Sequence, residues 1–382
     1  SDKIVGTFYA ELNILPGLKF RSSYGVDLAF WGYDGYGYPD YLGTMTHTDA
    51  SWVQSEMNRG MRWQTENYFS YNQTFAEKHN VSVVLGQSAA RYRSRNIGGK
   101  DFDLFDLNPI HANIGSATAA ETESILWGGI GDATHTSIAS YFGRIDYNFA
   151  ERYMLQVTVR RDGSSHFGAN NKWGVFPSFS LGWNVWNEPY LAKMKPEWFD
   201  VLKFRFSWGQ NGNESIGDFR YRALMSGGQN YYFGGSYKPN MNDFTKPGEN
   251  GGAMIYGTSP AAAANPDIKW ETSTQTDFGI DMRFLNQRLS FGFDYYYKKT
   301  TDMLAEMPVP TYIGQSKPWG NLGSMENWGI EMELGWKDNI KDFSYWVNTN
   351  WSYSRNKLLD LGNASGEVAY TLEKAEGESS KV

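Results

Sequence analysis

The chain reads as all-β: an antiparallel transmembrane β-barrel, represented here by about a dozen strands. Three observations carry that expectation. Apolar and polar residues alternate with period two over many segments, aromatics and glycine are abundant, and short and long connections between the segments alternate along the chain. Of the 382 residues 16% are aromatic and 41 are glycine, which suits many strands, tight turns and aromatic belts at two membrane interfaces. The mean hydropathy is negative, and no uncharged apolar stretch reaches the roughly 18 residues of a membrane-spanning helix. A barrel is not excluded by this, because only alternate residues of each strand face lipid.

The clearest segment is Tyr141 to Leu191. In Arg152 to Arg161 the odd positions Tyr153, Leu155, Val157, Val159 and Arg161 are mostly apolar, whereas the even positions Arg152, Met154, Gln156, Thr158 and Arg160 are mostly polar. Val175 to Trp186 keeps the same phase, and Tyr141 to Phe149 precedes it with another alternating run. Each run is about ten residues, the length of a tilted strand that crosses a bilayer.

Taken in order, Thr7 to Ile14 alternates Phe8, Leu12 and Ile14 against Tyr9, Glu11 and Asn13, and Pro16-Gly17 turns the chain into Leu18 to Leu28. A polar-aromatic loop is expected over 29–60. Strands follow at Arg62 to Ala76 and Val81 to Arg95, joined by a short turn at Glu77 to Asn80, and a second loop at 96–136 holds the string DFDLFDLNP. After Tyr141 to Leu191, with its turn at Ala150-Glu151 and its loop at 162–172, comes a short amphipathic piece, NEPYLAKMKPEW. Phe204, Phe206 and Trp208 then alternate with Lys203, Arg205 and Ser207, before a loop over 210–266. In the last third Phe278 to Phe284, Leu289 to Tyr297, Ile330 to Trp336 and Tyr345 to Tyr353 are strands, with turns at Asn286-Gln287 and Asp338 to Asp342, a loop at 300–321 and irregular sequence beyond 361. Such asymmetry between the two ends is that of a membrane barrel with short periplasmic turns and long extracellular loops. Leu155, Val157, Phe291 and Phe293 are expected to face lipid, and Arg160 and Asp294 the lumen.

Composition closes several other routes. The absence of cysteine removes disulfides and thiolate metal sites. A net charge of −7 without a basic run gives no nucleic-acid footprint. The opening SDKIVGTFYAEL has no charged segment followed by an apolar one, so the sequence shows no signal peptide and reads as a mature start or as a piece of a longer chain.

In order along the chain, YFGRIDYNFAERYML, RRDGSSHFG, WGVFPSFSLGWNVWNEPYL, LKFRFSWGQNGN, NPDIKWETSTQTDFGIDMRFLNQRLSFGFDYYYKKTTDML and NLGSMENWGIEMEL together resemble the C-terminal barrel of SusC/RagA-type TonB-dependent outer-membrane transporters. The resemblance spans nearly all of residues 5–360. It implies a larger plugged barrel in the outer membrane of a Gram-negative bacterium, which takes up oligosaccharides or peptides with TonB-derived energy. It also implies a SusD-like surface lipoprotein as lid, contact with the TonB complex through an N-terminal region missing here, and surrounding outer-membrane lipid. A dimer of transporter-lipoprotein pairs belongs to the same expectation. Residues 1–360 are then part of the barrel and 361–382 an extracellular loop segment, with plug and TonB box absent from this chain.

No enzyme, cofactor or metal site is expected. Asp101, Asp103 and Asp106 lack the glycine and distal glutamate of a calcium loop, and His47, His79, His111, His135 and His166 contain no pair with metal-ligand spacing. Glu331/Glu333 and Asp277/Asp281 fall on the polar side of strands, where solvated carboxylates are the simpler reading than an acid/base couple. Loop aromatics are the ligand-binding candidates: Trp31, Tyr33, Tyr36, Tyr38 and Tyr41, then Tyr231, Tyr232, Phe233 and Tyr237, able to stack on sugar rings or peptide side chains or to pack the loops. The competing reading is a soluble all-β glycan-binding or glycan-cleaving protein, which requires strands buried on both faces and a carboxylate pair in a cleft.

Overall fold

The computed structural model describes residues 1–43, 46–48, 50–106, 108–118, 124–128, 134–227, 231–233, 253–255, 257–309, 312 and 314–360. Twelve long strands dominate: β1 (Asp2–Leu15), β2 (Leu18–Gly37), β3 (Trp52–Phe75), β4 (His79–Phe102), β5 (Thr134–Phe149), β6 (Tyr153–Ser164), β7 (Trp173–Asn184), β8 (Phe199–Asn213), β9 (Glu271–Phe284), β10 (Leu289–Thr301), β11 (Ser324–Ile340) and β12 (Phe343–Asp360). They lie in one sheet in sequence order, with a short strand, Ile125–Gly128, added beside β4. Consecutive order needs only hairpins, so each strand's main-chain donors and acceptors meet those of the segment next to it in sequence.

Residue contacts group the chain into two units, one of Ser1–Asn148, Gln156–Val175 and Ile216–Asp267, the other of Phe149–Leu155, Phe176–Ser215 and Ile268–Val382. In the second unit Leu181, Phe206, Phe278, Tyr295, Ile330 and Tyr353 stand side by side on β7 to β12. Two residues along, Trp183, Phe204, Ile280, Phe293, Met332 and Trp351 form the next row of the same face. The row between them, Gly182, Arg205, Gly279, Asp294, Glu331 and Ser352, belongs to the other face and is polar. In the first unit the corresponding apolar row is Leu12, Phe20, Phe69 and Leu85, and a polar row is Tyr9, Ser23, Glu66 and Ser88.

It is the apolar face that is open. Phe8, Leu12, Phe69 and Leu85 are exposed, as are Leu155, Val157 and Val159 on β6, while Met154, Gln156 and Thr158 on the opposite face are half-buried. Among the described residues the buried apolar set is small: Val53, Leu104, Phe167, Phe176, Val185, Ile216, Ile268 and Trp270. A water-soluble sandwich would hide the apolar rows between sheets. The two-sided burial that the soluble reading requires is therefore absent from the described strands, whereas an apolar outward face is what a barrel in lipid presents.

At one end the connections are tight. Arg152 donates its backbone N–H to the Phe149 carbonyl at 2.8 Å, with Ala150 and Glu151 both at positive φ (50° and 58°). Ala76 and Glu77 (47° and 60°) repeat the arrangement, Lys78 donating to Phe75 at 3.2 Å. Two left-handed central residues are the type I′ pattern, whose twist matches that of paired strands. At Gly17 (φ 80°) the carbonyl accepts the Asn72 amide at 2.8 Å, and a Cβ there would stand 2.5 Å from the Asn72 carbonyl oxygen. The amphipathic piece after β7 forms two 3-10 turns, Val185–Asn187 and Ala192–Met194.

At the other end the strands run further than their polarity pattern announces. β2 continues to Gly37 and β3 starts at Trp52, so most of the expected 29–60 loop is paired strand. Likewise β4 runs to Phe102, β8 to Asn213, β10 to Thr301 and β12 to Asp360. Beyond the lipid band both faces meet water or polar loops, so the period-two contrast fades while backbone pairing persists. Residues 361–382 lie outside the described residues.

Left-handed φ at a non-glycine residue costs about 1 kcal/mol. Replacing Ala150-Glu151 by Asn-Gly is expected to stabilise the β5–β6 hairpin by roughly 1–2 kcal/mol, seen as a higher temperature for loss of the compact, heat-modifiable gel band. Gly17→Val is expected to lower that temperature.

Candidate functional site

The polar face of β2, β3 and β4 carries an aromatic and hydrogen-bonding cluster at its long-loop end. Trp31 stands beside Asn58 and Asn96, and Tyr33 beside Glu56 and Gly98. Trp52 closes the row opposite Gly37 and Phe102. The added strand brings Trp127 directly opposite Gly98. Its indole Nε1 donates to Glu56 Oε2 at 3.1 Å, and Asn58 Nδ2 donates to Glu56 Oε1 at 2.8 Å. The Lys100 ammonium lies 4.4 Å from the Trp52 ring centroid and 5.2 Å from that of Phe102. Here glycine serves close approach: a Cβ at Gly98 would come within 2.6 Å of the Trp127 ring, so the indole can lie flat on the strand only because no side chain is there.

The sequence candidates divide. Trp31 and Tyr33 are half-exposed members of this cluster. Tyr36 pairs with Val53 on the opposite face and packs on Tyr38, ring centroids 5.4 Å apart. The Tyr38 phenol pKa is raised, first by desolvation and then by Tyr36, so it stays a neutral donor. Tyr41 is exposed. Tyr231, Tyr232 and Phe233 form a short strand paired with Ala253–Ile255, their side chains outside the described residues, as is all of Tyr237. Glu56, Asn58, Lys100 and Trp127 were not anticipated. The signal was the alternate order Trp52, Gln54, Glu56, Asn58, legible as one strand face once β3 is extended back to Trp52.

In the second unit the polar face is laced by charge. Arg205 Nε donates to Asp281 at 2.8 Å and Nη2 to Asp294 at 3.0 Å, with side chains about two-fifths exposed. Ser207 Oγ and Gln275 Nε2 donate to Asp277 at 2.9 and 2.8 Å. Asp277 and Asp281 are thus hydrogen-bond acceptors within the wall rather than an acid/base couple. On β6, Arg160 pairs with the mostly buried Asp162 at 2.7 Å and also donates to Ser140 at 2.8 Å. The loop after it is anchored as a turn structure: His166 meets Asp218 at 3.1 Å, and Asn170 and Asn171 donate to Asp267. In the acidic string Asp106 accepts from His111 at 2.6 Å and from the Asn108 amide. Among the described residues no group of three metal-ligating side chains is present.

Open apolar rows, a polar opposite face and tight turns at one end define an outer-membrane β-barrel wall. Residues 6–376 match the family described as TonB dependent receptor-like, beta-barrel, and the chain belongs to that family. It is 30% identical over 379 residues to TonB-dependent receptor P39 of Formosa agariphila, covering 97% of this chain and 33% of that protein. With TonB-dependent receptor SusC of Bacteroides thetaiotaomicron it shares 31% identity over 300 residues, 77% of this chain and 27% of SusC. The fold matches that in structures of the RagAB peptide transporter, at TM-scores of 0.78 and 0.79 and 23% identity, covering 94% and 95% of this chain and 36% and 37% of those chains. The chain is a SusC/RagA-type barrel of the outer membrane, and it spans about a third of the length of these relatives. Its family is one of receptors and transporters rather than enzymes.

Because Glu56 holds both Trp127 and Asn58, Glu56→Ala is expected to speed hydrogen exchange at residues 125–128 by about tenfold, near 1.4 kcal/mol of local opening. Glu56→Gln keeps an acceptor and should lie between the two.

Proposed function

We propose that the whole protein imports oligosaccharides or peptides across the outer membrane with TonB-derived energy, its extracellular end covered by a SusD-like lipoprotein, and that the Trp31–Tyr33–Trp127 cluster contacts the cargo. The observation that carries this reading is the aromatic cluster on the polar face at the long-loop end. Flat rings give sequence-tolerant apolar contact to sugar faces or side chains. Glu56, Asn58 and Lys100 add hydrogen bonds and a cation that fix orientation. In a barrel with polar lumen and apolar exterior this cluster stands where cargo enters. Tyr36 and Tyr38 brace the loop or its lid rather than touch cargo. The paired Arg205, Asp281 and Asp294 keep the wall wet and charged without a fixed site. Energy transfer is assigned to a plug and TonB contact elsewhere in the full protein, as the likeness to TonB-dependent receptors supports.

The test uses the full-length gene in its own bacterium. Deletion is expected to abolish growth on at least one member of a panel of defined oligosaccharides and peptides, a protonophore to stop uptake, and Trp31→Ala/Tyr33→Ala to weaken cargo binding about tenfold. Tyr36→Ala should leave affinity within about twofold. Unchanged growth on every member of the panel after deletion would contradict import, and unchanged affinity in the double variant would contradict the assigned cluster.

A further inference from the structure

On the opposite, lipid-facing side of the same strands four arginines stand together. Arg91 lies opposite Trp63, Arg93 opposite Met61 and Arg95 opposite Arg59, successive positions on one face of β3 and β4. Cross-strand neighbours are about 5 Å apart and same-face neighbours about 7 Å, so four guanidiniums occupy a compact patch. All four are exposed. Among the described residues none of them has an ion pair or a side-chain hydrogen bond, and like charges directly opposite each other repel. Among the described residues no carboxylate on that face forms an ion pair with them: Asp34 accepts the Ser55 hydroxyl at 2.6 Å, Asp101 accepts the Phe102 amide at 2.9 Å, and Asp2, opposite Phe30, lines the same groove as Arg59 and Arg95 without an ion pair to either.

Position along the strand decides what can meet this charge. Below the patch the same face carries Leu18, Phe20, Phe69 and Leu85, then one polar row of Ser22, Asn67 and Gln87, and above that row Tyr24 stacks on Trp63 with centroids 6.5 Å apart. Such a ring pair marks the belt at the edge of the hydrocarbon. Arg91 begins in the Trp63 row and the other three rise from it, which sets them at the level of the outer-leaflet headgroups. In the Arg59 row and the next one along, Phe30, Met57, Ile97, Arg59 and Arg95 line a groove of about 610 Å³.

We propose that this patch binds a phosphorylated glycolipid of the outer leaflet. Its phosphates are held by Arg59, Arg91, Arg93 and Arg95, its sugar lies against Phe30 and Met57, and its acyl chains run down from Trp63 past Tyr24 towards Phe69 and Leu85. Guanidinium pairs with phosphate oxygens through two parallel hydrogen bonds. The patch therefore gains counterions in the membrane that the described residues do not supply. The lipid would hold the outer rim of the wall behind the Trp31 cluster, which shares strands β3 and β4 with the patch.

The test is lipid retention by the full-length transporter purified from outer membranes in mild detergent. Bound phosphorylated glycolipid is measured by native mass spectrometry and by phosphate content per folded protein, folding being checked by heat-modifiable migration. Combined Arg59→Gln, Arg91→Gln, Arg93→Gln and Arg95→Gln is expected to reduce retained lipid at least about tenfold, and Arg93→Gln/Arg95→Gln alone several-fold. Arg62→Gln, on the polar face, should retain the wild-type amount. Phosphatase-treated lipid should bind wild type no better than the quadruple variant, and excess inorganic phosphate should not displace the intact lipid. Equal retention by the folded double variant and wild type overturns the proposal, as does displacement by inorganic phosphate as effective as that by the lipid.

Discussion

In the hydrocarbon of a bilayer no water is present to satisfy an amide or a carbonyl, and a strand left unpaired there would carry a cost of several kcal/mol per group. Nearly every feature of this chain follows from meeting that constraint with strands. The order β1 to β12 is the order of the sequence, so pairing is completed locally, hairpin by hairpin. Tight turns keep neighbouring strands in register even where the turn residues, such as Ala150 and Glu151, are not the ones that favour a left-handed backbone. With the backbone satisfied, side chains are free to differ completely between faces. Phe206, Phe278 and Tyr295 lie on the apolar face, while Arg205, Gly279 and Asp294, one position away on the same strands, lie on the polar one.

The same constraint separates the places where chemistry can be put. A polar face within the wall can hold charges because they are paired and hydrated, as Arg205 is with Asp281 and Asp294. Such exposed pairs contribute little to stability individually; their effect is to keep a continuous hydrophilic surface. The proposed cargo contact falls instead where the strands outrun the apolar band, because there aromatic rings can be presented on the polar face without facing lipid. Trp31, Tyr33 and Trp127 occupy that extension, and the arginine patch occupies the other face of the same strands. Two neighbouring surfaces of one sheet thereby differ in chemistry, one aromatic and hydrogen-bonding, the other cationic beside apolar rows.

Much of this was legible in the sequence. The phase of alternation put Phe291 and Phe293 on the apolar face and Asp294 on the polar one, and the register agrees. Turn positions were legible for a local reason: Pro16-Gly17, Ala150-Glu151 and Asn286-Gln287 interrupt the alternation between two strong strands. Strand ends were not, because the pattern reports solvent contrast rather than hydrogen bonding, and beyond Trp63 or Phe30 the contrast is gone while the ladder continues. That error concealed the site. Trp31 and Tyr33 read as loop aromatics, whereas they are strand residues with Glu56 and Asn58 as cross-strand neighbours, and Tyr36 falls on the other face by parity alone. Trp127 was beyond any periodicity, since its four-residue strand gains its place only by pairing with Ile97 to Lys100.

The account stands on the two faces of each strand having opposite solvents; residues 1–382 contain no cysteine, so single labels can be placed in them once any cysteine elsewhere in the full-length protein is replaced. Single cysteines placed in turn at Phe291, Gly292, Phe293, Asp294, Tyr295 and Tyr296 of the full-length protein in lipid vesicles can carry a spin label, with relaxation by oxygen compared with relaxation by a water-soluble nickel chelate. Labels at 291, 293 and 295 should respond to oxygen, and those at 292, 294 and 296 to the chelate, in strict alternation. Uniform access along the strand, or the opposite phase, would contradict the account.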